Sequence, residues 1–224
     1  MEKSFEKVVQ YVKNQILKGR LRPGDRLPSE RELAETLSTS RNSVREGLRV
    51  LENIGVVTSH HGSGNFISLN FDDTMSELLS FMFFLKGIRE DQVTEFRRSI
   101  EWESVYLAVE RITEEEKREM LLHLDKLETV QTESARVRHD KAIHQILVEA
   151  SRNDFLITNY GALNNFIDRY IRSMRARIIT GMNDHNMLAK AHRDLVEGVV
   201  EGNLEKGLNG LLKHFEYIKE YGDA

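Results

Sequence analysis

The chain has 224 residues, 40% of them apolar, enough for one large or two modest domains with proper cores. It has no cysteine, which excludes disulfides and thiolate metal sites and suits a reducing cytoplasm. Its longest apolar run, Leu78 to Leu85, is broken by Ser80 and falls far short of the roughly 20 residues that cross a bilayer. The net charge of -4 is uneven: residues 1–70 hold 11 basic and 8 acidic side chains, net +3, and the remainder is net -7, so only the first part suits a polyanion.

In chain order, MEKSFEKVVQ lacks a signal-peptide pattern, and a cytoplasmic protein with no membrane partner is expected. Phe5, Val8, Val9, Val12, Ile16 and Leu17 form an apolar stripe at helical spacing that stops at Gly19. Residues 20–26 contain Pro23-Gly24 and read as a turn. Pro28 and Ser29 open a second helix, where Ser29 and Glu32 have capping-box spacing and Leu33, Ala34 and Leu37 form the apolar side. After the turn Ser38-Thr39-Ser40, a third helix places Val44, Leu48, Leu51 and Ile54 on one side. Arg41, Asn42, Arg45 and Arg49 are displayed elsewhere on it, in the outline of a DNA recognition helix. Val56 to Ser59 and Asn65 to Ser68 read as two short strands joined by residues 60–64.

LPSERELAETLSTSRNSVREGLRVLENIGVV followed by HHGSGNFI resembles the winged helix-turn-helix of the GntR family of bacterial transcription regulators. Ser38 departs from the family's turn glycine, and serine tolerates a left-handed backbone at modest cost. The resemblance implies DNA contacts at Arg31, Ser40, Arg41, Asn42, Ser43, Arg45, Arg49, His61 and Gly62, with the wing tip in the minor groove. Arg45 is the first candidate for base reading, because a guanidinium bonds bidentately to guanine. Ser63, where relatives that respond to fatty acids carry lysine, leaves the wing's reading open. Taken alone, these arginines could equally be a solvated helix face.

Beyond a boundary near Leu69 to Asp73 the chain lacks proline and reads as seven helices: roughly 72–86, 90–111, 114–131, 134–151, 153–180, 184–201 and 204–221. The expected fold is mainly α, with a winged helix-turn-helix over 1–70 and an antiparallel helical bundle over 71–224. Asp140 and His144 share one helical face with Val137 and Leu147. His192 lies on the stripe Leu188, Leu195, Val199, and His214 sits one turn from Leu211 and Ile218. Three imidazoles and one carboxylate converging in a bundle would suit zinc, nickel or a related divalent ion, whereas any one of these histidines alone is a common core residue.

DKAIHQILVEASRND and AHRDLVEGVVEGNLEKGLNGLLKHFEYI are similar to the ligand-binding domain of the FadR subfamily. In its metal-containing members the positions of Asp140, His144, His192 and His214 are the metal ligands. FRRSIEWESVYLA resembles that domain's Arg-x-x-Leu-Glu segment. The alignment implies that Arg97 pairs bidentately with a ligand carboxylate; a structural salt bridge to a neighbouring glutamate is the alternative, and Arg98 could exchange roles with it. His123, His139 and His185 match no ligand position and are expected to be solvated. The resemblance implies a homodimer that binds a near-palindromic operator and responds to a small organic acid. The rival readings are a metal sensor and a constitutive DNA binder with a structural metal. An enzyme is not expected, since no H-E-x-x-H and no obvious general base stand beside the site.

Overall fold

Three helices, a hairpin and the opening of a fourth helix lie in the first of the two units of the computed structural model, Met1–Leu78 and Leu79–Ala224. Residues 4–69, 72–161, 163 and 186–222 are described. The elements that lie wholly in the first unit are α1 (Glu6–Leu17), α2 (Glu30–Thr36), α3 (Arg41–Asn53), β1 (Val57–His60) and β2 (Gly64–Ile67). Val8, Val12, Leu27, Leu33, Val44, Leu48, Leu51, Val57 and Ile67 form one core. Burying a side chain of this size contributes roughly 1.5–3 kcal/mol.

Local chemistry sets the ends of these helices. The Ser29 hydroxyl accepts from the Glu32 N–H at 3.3 Å and the Glu32 carboxylate accepts from the Ser29 N–H at 2.8 Å, the reciprocal box that the spacing predicts. Ser38 takes the left-handed turn at φ +48° in place of glycine. Ser40 then caps α3 by accepting from the Ser43 N–H at 3.1 Å. Gly47 lets α1 and α3 meet, since a Cβ there would lie 2.6 Å from Val8 Cβ and 2.8 Å from the Phe5 carbonyl.

Three details differ from the reading of the sequence. Ile54 ends α3 as its C-cap and is exposed, because Gly55 at φ +76° turns the chain away before the apolar stripe completes another turn. Ile16 and Leu17 are exposed too, beyond the last turn of α1 that packs on the core. The strands pair antiparallel with Val57 opposite Ile67, so each sits one residue away from its expected span. β2 is also flanked on its other side: Leu27 N–H donates to the Asn65 carbonyl and Ile67 N–H to the Asp25 carbonyl, both at 2.8 Å. The stretch expected as a plain turn therefore anchors the hairpin.

The remaining helices are α4 (Asp72–Lys86), α5 (Glu90–Arg111), α6 (Glu114–Thr129), α7 (Glu133–Ala150), α8 (Asn186–Glu201) and α9 (Leu204–Gly222). Residues 154–161 are also helical, and most of the helix expected over 153–180 lies outside the described residues. Val105, Met120, Leu124, Ile143, Leu147, Leu195, Val199, Leu211 and Phe215 lie in a core shared by α5 to α9. The chain is mainly α, as expected. The α8 and α9 backbones come close together because Gly198 and Gly210 carry no side chain. A Cβ on Gly198 would strike the Gly207 backbone, and one on Gly210 would strike the Leu195 N–H and approach the Ala191 carbonyl to 2.8 Å. This close approach brings the middle of α8, with His192, beside the middle of α9, with His214. Among the described residues no helix is long and apolar enough to cross a membrane.

Candidate metal centre and nucleic-acid interface

With Val44, Leu48 and Leu51 turned inward, α3 leaves Arg41, Asn42, Arg45 and Arg49 exposed on its other sides. Arg31 on α2 is exposed as well and lies 3.9 Å from Glu35. Ser40 and Ser43 share a hydroxyl contact of 3.0 Å at the start of α3. His61 and Gly62 occupy the exposed tip of the hairpin, where Gly62 has φ +77° and Ser63 N–H donates to the His60 carbonyl at 3.0 Å. Sequence reasoning missed one partner: Arg45 Nε donates to Glu30 Oε2 at 2.7 Å, so the first turn of α2 holds the principal base-reading candidate in place.

In the second unit, Asp140, His144, His192 and His214 come together from α7, α8 and α9, all at least 97% buried. One ligand atom from each of the three histidines lies within 4.8 Å of the others. Asp140 bridges two of them, with Oδ1 3.5 Å from His144 Nε2 and Oδ2 3.4 Å from His192 Nε2. The ring centroids are 4.6–5.6 Å apart, those of His192 and His214 being the closest pair.

Hydrogen bonds to the far sides of two rings decide which nitrogen is free. His192 Nδ1 is 2.9 Å from the Leu188 carbonyl, which can only accept, so Nδ1 carries a proton and Nε2 is the nitrogen left to face a metal. His144 Nδ1 likewise donates to Glu101 Oε2 at 2.6 Å. Among the described residues, His144 Nε2, His192 Nε2 and both His214 nitrogens are buried without a hydrogen-bond partner. An unsatisfied buried polar group costs about 1–3 kcal/mol, so a cluster of them calls for something that accepts lone pairs. Burial lowers the His144 pKa, and Glu101 only partly offsets this. His214 is held well below its ordinary range by burial first and then by His192 and His144. Both rings are thus held neutral, the form that ligates a metal. A donor set of three imidazole nitrogens and one carboxylate, with two rings fixed from behind, fits zinc or nickel.

Arg97 is 2% exposed and Arg98 is exposed, so Arg97 is the inward residue of the two. Its Nε donates to Glu101 Oε1 at 2.5 Å, the neighbouring-glutamate alternative of the sequence reading, while its Nη2 is buried without a partner among the described residues. The guanidinium carbon also lies 5.5 Å from the centre of the Phe215 ring. Burial works against ionisation of both groups. Their mutual attraction nonetheless holds Arg97 charged and, with His144, keeps the Glu101 carboxyl below the usual range. Glu101 itself was not picked out as a site residue, although its four-residue spacing from Arg97 was a usable signal. His123 and His139 differ from the expected solvated histidines: their Nδ1 atoms lie 2.9 Å apart across α6 and α7 and both residues are half-buried. His185 lies outside the described residues.

Two family models match the chain: the gntR family of bacterial regulatory proteins over residues 5–67 and the FCD domain over residues 92–217. The chain belongs to the FCD-domain branch of the GntR-family transcription regulators. It is 26% identical to the HTH-type transcriptional regulator LutR of Bacillus subtilis, over 92% of this chain and 94% of that protein. It is also 26% identical to the "Putative L-lactate dehydrogenase operon regulatory protein" of Escherichia coli, over 95% of this chain and 84% of that one. The fold matches a Streptococcus agalactiae GntR structure with a TM-score of 0.70 at 22% identity, covering 96% and 99% of the two chains. This regulator is therefore a DNA-binding protein rather than an enzyme, and the clustered histidines and Arg97 all fall within its FCD domain.

Proposed function

We propose that this regulator is a cytoplasmic homodimeric repressor that binds a near-palindromic operator and responds to a small organic acid held at a divalent metal in its FCD domain. Residues 1–70 read DNA through Arg31, Ser40, Arg41, Asn42, Ser43, Arg45, Arg49, His61 and Gly62. Residues 71–224 hold zinc or nickel through Asp140, His144, His192 and His214, and the acid through Arg97. The observation that carries this reading is the set of buried, unpartnered His144, His192 and His214 nitrogens in the same domain core as a buried Arg97 with one unpartnered Nη2. A bound metal supplies a Lewis-acid position for one oxygen of the ligand. The chain's own contribution is to keep the rings neutral and to offer a fixed cation. The name of the Escherichia coli relative makes L-lactate and similar hydroxy acids the first ligands to test.

The test begins with selection of duplexes from a random pool by the full-length protein, followed by titration of the best duplex with zinc, a chelator and a panel of small acids. One acid should change operator affinity about 5–150-fold, and only when metal is present. A response to free zinc with no acid effect would favour metal sensing instead. Affinity indifferent to both would leave a constitutive binder and contradict the proposal.

A further inference from the structure

Glu101 lies on α5 and is completely buried, yet both of its carboxylate oxygens are occupied. Oε1 accepts from Arg97 Nε at 2.5 Å and from the Tyr160 hydroxyl at 3.2 Å, and Oε2 accepts from His144 Nδ1 at 2.6 Å. An ionised carboxylate is purely an acceptor, so it serves all three donors at once; a neutral side chain of the same shape cannot. We infer that Glu101 is the positioning residue that joins the metal side of the site to its acid side. This inference rests on the reading of the site as a metal-held acid pocket.

The two actions are distinct. On one side Glu101 keeps His144 in the tautomer with its proton on Nδ1, which leaves the Nε2 lone pair for the metal. On the other it occupies Arg97 Nε, and Nη2 is left as a donor with no partner among the described residues. Arg97 then meets the acid through its Nη end, because Nε is already committed to Glu101. Because one carboxylate restrains both the metal ligand and the acid anchor, disturbing it reaches both binding events.

Glu101→Gln tests the assignment at constant shape. The amide has one accepting and one donating end. Arg97 cannot give up its proton, whereas an imidazole can move its own, so the amide oxygen turns to Arg97 and Tyr160 and the NH2 turns to His144. His144 Nδ1 must then accept, the ring proton moves to Nε2, and the metal lone pair is lost. The tautomer is read by long-range proton–nitrogen NMR on the metal-free full-length protein, with the His144 ring assigned by its loss in His144→Asn. Zinc affinity is read by chelator competition on the same proteins, with Tyr160→Phe and His192→Ala alongside. The expected result is an Nδ1-protonated His144 in the wild type and in Tyr160→Phe, an Nε2-protonated ring in Glu101→Gln, and zinc affinity weakened about 10–100-fold in that variant. An unchanged tautomer together with unchanged zinc affinity in Glu101→Gln overturns the inference. If that variant does not fold, an Nε2-protonated His144 in the wild type overturns it equally. A wild type with no more zinc affinity than His192→Ala contradicts the metal reading of the site, while the tautomers still decide the role of Glu101.

Discussion

The exposed face of α3 and the buried meeting point of α7, α8 and α9 carry similar chemistry in opposite surroundings. Arg45 pairs with Glu30 while 67% exposed, and a pair of that kind is worth about 0–1 kcal/mol because water and salt screen it. Arg97 pairs with Glu101 at 2% and 0% exposure, where either partner alone would be a stranded charge. The difference concerns what an unpartnered polar atom means. On α3 it means only that water is nearby. In the FCD core, the nitrogens of His144, His192, His214 and Arg97 that lack a partner among the described residues are buried, where leaving a polar atom unsatisfied is costly, and they outline the candidate ligand site.

Arg97→Ala breaks this comparison most severely. It strands the Glu101 carboxylate and should lower stability by about 3–5 kcal/mol in urea unfolding, whereas Arg45→Ala should stay within about 0.5 kcal/mol of the wild type. Stripping metal should come next, with about 2.7 kcal/mol lost relative to protein held at a hundredfold excess of metal over its dissociation constant. Acid should weaken the metal-free protein further. His144 and His214 have folded-state pKa values below the ordinary histidine value of 6.5, so the unfolded chain binds protons first as pH falls. Urea midpoints should therefore be level above about pH 6.5 and decline below it.

A smaller effect is expected from Gly210→Ala. The added Cβ meets α8 backbone, and the resulting overpacking of about 1–3 kcal/mol outweighs the gain in helix propensity. Zinc affinity should fall with it, since α9 must shift away from His192. The narrowest effect belongs to Arg45→Ala, which should cost about 1–3 kcal/mol of discrimination at one base pair with little change in stability, while Arg49→Ala weakens all duplexes alike. Competition binding with single-base operator variants separates the two, and equal selectivity in Arg45→Ala would remove that residue from base reading.

Much of this was legible in the sequence where the cause is local. Ser29 with Glu32 is a capping box in both sequence and structure. Asp140 and His144 share a face simply because they are four residues apart on a helix. What could not be read depends on distant segments meeting. Glu101 looked like one more helical glutamate beside an arginine until α7 placed His144 against its second oxygen. The pairing of His123 with His139 joins two helices and has no signature on either one. Gly198 and Gly210 are unfavourable within helices, and only the close approach of α8 and α9 accounts for them.

We propose that the metal and Arg97 together hold an acid. The most direct test is the thermal midpoint of the metal-loaded protein with and without each of a panel of small organic acids, beside Arg97→Ala and His192→Ala, each compared with its own acid-free midpoint. One acid should stabilise the wild type by about 2.7 kcal/mol at a hundredfold excess over its dissociation constant, and neither variant should respond. No response to any acid, or one that survives in both variants, would contradict it.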